Sequence, residues 1–402
     1  MMNKSGKLII NLIIGCFILA GCGGKIELDD MLIVSAIGID IDEDQTIVHL
    51  QVVNSGGPGS AQSKGVGGPV YTYSMQGKTL FDAVNKVNNI LPRKVIFSHI
   101  NCFVISEEYA REQGMAPLFD FMGRNSEIRD NVLMFVAKDS TAKDILSLYT
   151  PIYKNPGESL NNRVKISSNS TGISEGIKVN EIITWTYGEF RDPVVQGVER
   201  LDLNEAGGDS AILESINANN KTFNMTSIAI FDKEHLTDWY SYDQTLGWSI
   251  LNNRVKELFT MTTECENENG NFGFLVKNSK TTVIPKVDKG EITYQINVSG
   301  TAVLEEITCD LDISNPKTLL DMEQQVEKSI TQNIESAVSK AQELEIEPFG
   351  FGKLLFNKEP KLWKENYEKG WSKKFAKANV NSTVSIRLES VGTKVKTIHE
   401  EE

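Results

Sequence analysis

Apolar residues come in two rhythms along this chain. In the first half they form nearly unbroken runs, at residues 31–37, 95–106 and 131–138. Such runs predict strands buried on both faces. Later they alternate. Tyr294, Ile296 and Val298 take every second position, as do Val384, Ile386 and Leu388. That pattern predicts half-buried strands, the second group closing the last sheet. Residues 272–284 are strand-like as well.

Helical spacing appears in fewer places. Leu80, Val84, Val87 and Leu91 share a face, and Pro92 ends the pattern. Residues 117–124 read as a short helix, with helical patches at 173–183. The clearest helix begins at Asn315-Pro316, a cap followed by proline in the first turn. Met322, Val326, Ile330, Ile334 and Val338 then recur every four residues, carrying it to Glu343.

Read in order, residues 31–53 predict a hairpin around the acidic turn 40–45, with Val48, Leu50 and Val52 on one face. Strand, helix, strand, helix and strand up to about residue 150 suggest an α/β unit. Residues 54–69 are rich in Gly, Ser and Pro and read as a surface loop. Short strands at 197–203 and 212–217 flank the acidic turn 204–209, and 226–232 is a further strand. A domain boundary is expected near residue 195.

Two aromatic stretches need separate treatment. Trp239, Tyr240, Tyr242 and Trp248 mark a partner site if exposed and a packed core if buried, with the core preferred. Trp363, Tyr367, Trp371 and Phe375 are spaced by four within a segment holding seven Lys and three Glu between Lys358 and Lys377. A basic aromatic helix can lie on a membrane. Gly370 and the strand that follows favour a helix docked on the protein instead.

The N-terminus changes the setting of everything downstream. Lys4 and Lys7 precede an apolar run at residues 8–20. As helix that run covers about 20 Å, too short for a bilayer core of about 30 Å. It is the h-region of a signal peptide, residues 1–21. Leu19-Ala20-Gly21-Cys22 closes it and resembles the lipobox of bacterial lipoproteins. On that reading the chain is cut before Cys22, whose thiol carries the acyl chains. Two chains anchor stably where one is marginal.

The net charge is −13, and losing Lys4 and Lys7 takes it to −15. This excludes a nucleic-acid binder, which needs a basic face. Beyond the leader the cysteines are Cys102, Cys265 and Cys309, an odd and widely spaced set that predicts no disulfide framework. Asp40, Asp42 and Asp44 imitate the start of a calcium loop, but Gln45 replaces the turn glycine and Gln51 the bidentate glutamate. No metal site is expected. The four histidines (His49, His99, His235 and His399) are far apart. No nucleophile, zinc or dinucleotide motif accompanies them. The residues alone describe a lipid-anchored assembly or binding protein without catalytic residues or cofactor.

Several stretches together carry a family resemblance. Residues 28–40 (LDDMLIVSAIGID) look like the N-terminal signature of the Ger(x)C family, the C subunits of nutrient germination receptors in spore-forming bacteria. Gly24-Lys25-Ile26 departs locally from the Trp-Asp-Arg type of segment usual there. Phe97-Ser98-His99, Ile228-Ala229-Ile230-Phe231, Gly247-Trp248 and Val255-Lys256 are similar to family motifs. The most specific match is Glu347-Pro348-Phe349-Gly350-Phe351-Gly352, with Pro360, Leu362-Trp363 and Trp371 behind it.

The resemblance implies an α+β fold of three domains, with mixed or antiparallel sheets and flanking helices. With the residue pattern, it divides the chain into 22–195, 196–284 and 285–402, the last holding the helix 316–343. It implies a lipoprotein on the outer face of the spore inner membrane. Its partners would be the membrane-embedded A and B subunits of a complex that senses small nutrients and triggers germination. The alternative is a solute-binding lipoprotein of an ABC transporter, which shares the anchor but needs two α/β lobes closing on a ligand. A surface hydrolase would need His99 or His235 joined to a nucleophile.

Overall fold

A computed structural model of the chain describes residues 31–54, 70–148, 153, 155–173, 176–201, 222–255, 258–265 and 270–390. The leader with Cys22, the loop 55–69, the acidic turn 204–209 and the expected strand 212–217 lie outside them.

The expected hairpin forms from β1 (Met31–Asp42) and β2 (Gln45–Val53), paired antiparallel from Val34↔Val52 to Asp42↔Gln45. Glu43 takes a left-handed φ of 52° at its turn. β3 (Val70–Gly77) adds antiparallel to β2. Thr79 caps α1 (Leu80–Lys86) by accepting from the Asp82 N–H. β4 (Lys94–Ile96) and β5 (Cys102–Ser106) both run parallel to β1 on its other side. The chain continues through α2 (Glu107–Glu112), α3 (Ala116–Arg124), β6 (Leu133–Lys138), α4 (Ala142–Leu146), α5 (Pro156–Ser170) and α6 (Val179–Thr186). β7 (Val194–Leu201), β8 (Thr222–Asn224), β9 (Ile228–Asp232) and β10 (His235–Tyr240) complete a ten-stranded sheet, ordered β10-β9-β7-β6-β5-β1-β2-β3. β4 pairs off that path with β1, and β8 with β7.

This sheet is covered on both sides. In β5, Phe103 and Ile105 enter one core, while Cys102 and Val104 enter a second, beneath α4 and α5. In β6, Met134 and Val136 face the first core, and Phe135 and Ala137 the second. The unbroken apolar runs of the sequence have this cause.

The run at 95–106 is nevertheless two strands rather than the single strand expected. Lys94 pairs with Met31 and Cys102 with Ala36. The chain thus spends eight residues where β1 spends five. The surplus leaves the sheet as a turn, and His99 is exposed there instead of lying in a buried strand.

α7 (Tyr242–Leu251) leads to the second sheet, made of β11 (Leu258–Glu264), β12 (Asn271–Asp288), β13 (Glu291–Ile307) and β14 (Asn379–Ser390). Its order is β11-β12-β13-β14. Only the β13–β14 pair is parallel, reached through the intervening helices. The long helix α8 (Pro316–Glu343) forms where expected, with Asn315 accepting from the Lys317 N–H. Its stripe of Met322, Val326, Ile330, Ile334 and Val338 is buried. The fold is α+β, with mixed sheets and flanking helices, as expected. The expected boundaries at 195/196 and 284/285 both fall inside strands, β7 and β12. A strand hydrogen-bonded along its length gives the chain no place to separate there.

Two further differences concern the second sheet. Cys265 and Cys309 form a disulfide, Cα atoms 6.6 Å apart, where no disulfide framework was expected. The ends of β11 and β13 meet in space although the cysteines are 44 residues apart, so spacing held no sign of it. The basic aromatic segment is docked, but not as one helix. It divides into α9 (Phe351–Lys358), α10 (Pro360–Leu362), a π-turn at Trp363–Tyr367 and α11 (Trp371–Phe375). Gly370, at φ 69°, makes the last break. Trp363, Tyr367, Trp371 and Phe375 are all buried.

Candidate functional site at the joint of the two sheets

Three of the stretches singled out in the sequence, Gly247-Trp248, Glu347 to Gly352 and Trp363 to Trp371, converge on one place. It lies where the segment between α6 and β7 meets the segment between α8 and α9. Asp192 N–H donates to the Glu347 carbonyl at 2.7 Å, and Glu347 N–H donates back to Asp192 Oδ2 at 2.9 Å. Ser372 Oγ donates to the same Asp192 oxygen at 2.8 Å. Lys233 Nζ lies 3.4 Å from Asp192 Oδ1.

Glu347 is fully buried. Its Oε1 accepts from the Phe349 N–H at 2.8 Å, and its Oε2 accepts from Trp371 Nε1 at 3.3 Å. Burial pushes its carboxyl up to about 7, against the pull of Arg191 and these donors. Burial likewise lowers the Arg191 guanidinium, to about 10. That guanidinium donates to the Pro348 carbonyl and stacks 4.0 Å over the Trp185 ring. Trp248 Nε1 donates to the same carbonyl at 2.9 Å. Pro348 cannot donate, but its carbonyl joins three segments of the chain.

The glycines here serve close approach. A side chain at Gly247 would press onto the Asn333 carbonyl, because α7 lies against α8 there. A Cβ at Gly352 would stand 2.7 Å from both the Phe190 carbonyl and Trp371 Nε1. Gly350 has φ 81°, a left-handed backbone that disfavours other residues. Phe351 stacks on Tyr294 at 4.5 Å, and Tyr294 OH donates to the Phe351 carbonyl. The Glu347–Gly352 motif is therefore a clasp. It holds the end of α8 to the first sheet and to the inner face of the second. Its chemistry is cohesion, with the Glu347 carboxylate and the Pro348 and Phe351 carbonyls taken up by donors from the fold.

The other candidate residues are dispersed. Cys22 lies outside the described residues. Trp248 and Tyr240 are buried, Trp239 is half-buried, and Tyr242 is 41% exposed. That aromatic stretch is thus mostly core. Among the described residues no cluster of His, Cys, Asp or Glu could hold a metal ion. His99 is exposed, and His235 Nδ1 lies 3.0 Å from the Arg111 carbonyl. Among the described residues neither is hydrogen-bonded to a serine or cysteine, so the arrangement a surface hydrolase needs does not form at them.

A polar network that the sequence reading missed joins β1, β2 and β3. His49 Nε2 is 2.8 Å from Asp40 Oδ2, and Nδ1 is 2.7 Å from Ser74 Oγ. Asp40 also accepts from the N–H groups of Ala142 at 2.7 Å and Lys143 at 3.1 Å, at the start of α4. Burial raises the Asp40 carboxyl, but His49 and the two N–H groups outweigh it and hold it below the usual range. Asp40 therefore fastens α4 to the sheet. The first carboxylate of the acidic turn 40–45 is thus turned onto β2 and α4.

Comparison with known proteins agrees with this architecture. Residues 24–200 match the family described as "Spore germination protein N-terminal domain", and residues 226–392 match "Spore germination B3/ GerAC like, C-terminal". The spore germination protein KC of Bacillus subtilis (strain 168) is 27% identical over 381 residues, covering 93% of this chain and 92% of that protein. The spore germination protein B3 of the same organism is 22% identical, covering 93% and 95%. The crystal structure of the GerBC protein has the same fold, with TM-score 0.57 and 18% identity over 88% of this chain and 96% of that one.

These matches define a two-unit α+β spore germination protein. The chain belongs to the Ger(x)C family, the C-subunit type of germinant receptor.

Proposed function

We propose that the chain is a lipid-anchored, non-enzymatic subunit that assembles with the membrane-embedded A and B subunits of a nutrient germination receptor. One conjunction carries the reading. Leu19-Ala20-Gly21-Cys22 ends just ahead of residue 24, where the family match begins. The anchor on Cys22 would therefore leave the family fold whole and tethered close to its first strand. The described residues contain no helix long and apolar enough to cross a membrane, so a lipid is the attachment that the sequence offers.

In this reading the protein sits on the outer face of the spore inner membrane. Its contribution is surface and shape, delivered as one body by the clasp at Glu347. It supplies no catalytic residue and no cofactor. Co-purification from spore membranes tests it, with the wild type and Cys22→Ala compared. The wild type should bring down the A and B subunits. Cys22→Ala should appear in the soluble fraction and impair germination. Full membrane retention of that variant would sink the anchor, and wild-type pull-downs without either subunit would sink the assembly role.

A further inference from the structure

The segments that enter β5 and β6 surround a cavity of about 760 Å³. Small-molecule sites span roughly 300–1,000 Å³. Its wall combines the residues just before β5, the start of β6, one face of α5, the start of α6, and Arg254 beyond α7. Four asparagines line it: Asn101, Asn131, Asn161 and Asn180. Asn161 Nδ2 donates to the Asn101 carbonyl at 3.2 Å, which fixes the way its amide faces. Its Oδ1 is buried with no hydrogen-bond partner, and so is Asn180 Oδ1. A buried acceptor left bare is costly, and the cavity is where a donor can enter.

The charge of this wall is opposite to that of the chain, which carries −13. Lys165, Lys178 and Arg254 line the cavity against one carboxylate, Glu181. Arg254 donates to Glu181 Oε1, and the Lys178 N–H donates to its Oε2 at 3.2 Å. That carboxylate is therefore taken. Lys165 and Lys178 are exposed, and among the described residues neither ammonium forms an ion pair. Asp130 and Arg129 line the neighbouring cleft and offset each other. Glu158, one turn before Asn161 on α5, is exposed and lies outside the lining. With it counted, cations still outnumber carboxylates, three to two.

We propose that this cavity binds a small polyhydroxylated anion, a sugar acid or a sugar phosphate. Its carboxylate or phosphate oxygens would accept from Lys165 and Lys178. Its hydroxyls would donate to the Asn161 and Asn180 oxygens and exchange hydrogen bonds with the Asn101 and Asn131 amides. A hydroxyl suits these positions because it donates and accepts, as an amide does. An ammonium only donates, and here it would meet three cations. Arg254 links the cavity to the clasp. Its guanidinium lies 5.6 Å from the Trp185 ring centre and 5.9 Å from that of Trp248, whose Nε1 holds the Pro348 carbonyl. An anion beside Arg254 would thus be felt by two tryptophans. The site uses neither the anchor nor the partner subunits, and the chain alone suffices to test it.

The test uses the mature chain from residue 22 with Cys22→Ser, which has neither leader nor acyl chain. Isothermal titration compares four probes. Gluconate and glucose 6-phosphate carry hydroxyls and an anion together; glucose and sulfate carry one of the two each. Gluconate or glucose 6-phosphate should bind at one site per chain and shift the tryptophan emission. Glucose and sulfate should bind about tenfold more weakly or worse. Lys165→Gln/Lys178→Gln removes two exposed ammonium groups, which spares the fold, and should weaken binding by about tenfold or more. Lys361→Gln/Lys364→Gln changes the net charge equally on another exposed surface and should leave the affinity unchanged. No heat from either anion at up to millimolar concentration would overturn the proposal and leave the two asparagine oxygens to ordered water. Equal losses in both double variants would overturn it as well, and so would glucose or sulfate binding as tightly as the better anion. The assembly reading fails by a different readout, pull-downs from spore membranes without either subunit.

Discussion

β5 and β13 are both interior strands of their sheets, yet they meet different surroundings. In β5, Cys102, Phe103, Val104 and Ile105 are all without exposed surface. In β13, Tyr294 and Ile296 are equally buried, while Asn297 and Ser299, on either side of the buried Val298, are exposed. The first sheet has cores on both sides; the second is packed on one side by α8 and the aromatic clasp. The first therefore spends both faces on cohesion. The second keeps one face free of protein cover.

The largest effects should separate the two strands directly. Val104→Asp and Ile105→Asp each bury an unpaired carboxylate, one on each face of β5. Both should cost more than about 4 kcal/mol and abolish folding. In β13 the rule should alternate: Ile296→Asp destroys the fold, while Asn297→Asp stays within about 0.5 kcal/mol. Urea unfolding of the four variants decides it. A tolerated Val104→Asp would mean that the second core of the first sheet does not hold.

The disulfide comes next. Cys265–Cys309 closes a 44-residue separation around the β12–β13 hairpin. By loop-closure entropy its loss should cost about 4 kcal/mol. Cys309→Ser should lower the unfolding midpoint, and reducing agent should do the same to the wild type but nothing further to the variant.

The joint between the sheets should show itself in pH. The Glu347 carboxyl stands at about 7 in the fold against an ordinary 4.5, so folding takes up a proton between those values. Its stabilising contribution is complete below pH 4.5 and is lost as pH rises through about 7, a change of about 3 kcal/mol. Unfolding midpoints should fall between pH 5 and 8, and Glu347→Gln should flatten that slope. Glu347→Ala should be worse than Gln at every pH, because it strands the Phe349 N–H and Trp371 Nε1 as well. Equal slopes in wild type and Glu347→Gln would remove this carboxyl as the cause.

The smallest effect is the sharpest check on the outer face. Thr301→Val replaces a buried, unpartnered hydroxyl with a methyl group. It should leave stability unchanged or raise it by up to about 1 kcal/mol, since nothing in the fold uses that hydroxyl. A marked loss would show that Thr301 has a structural partner after all.

Much of this was legible in the residues. The hairpin β1–β2, the strand β6 and the whole of α8 follow from periodicity and capping. The convergence of the Glu347–Gly352 motif with Trp248 and Trp371 was visible only as separate stretches. The turn at His99 was hidden inside an apolar run, because a mismatch in register with β1 leaves no mark on hydrophobicity. The Asp40–His49–Ser74 network was hidden too. Its members sit on three strands, and the acidic cluster around Asp40 read as an exposed hairpin turn instead.

By itself the sequence determined how strands such as β6 and β13 are surrounded and where the long helix begins and ends. These are local properties, written in the spacing of apolar side chains within a few turns or pleats. Tertiary structure alone decided the clasp, the disulfide and the uncovered outer face of the second sheet. Asp192 and Glu347 are 155 residues apart, and Lys277 meets Arg387 across β13 by register alone. Such pairings arise when sheets close and helices dock, and one sequence read residue by residue contains no term for the distance between them.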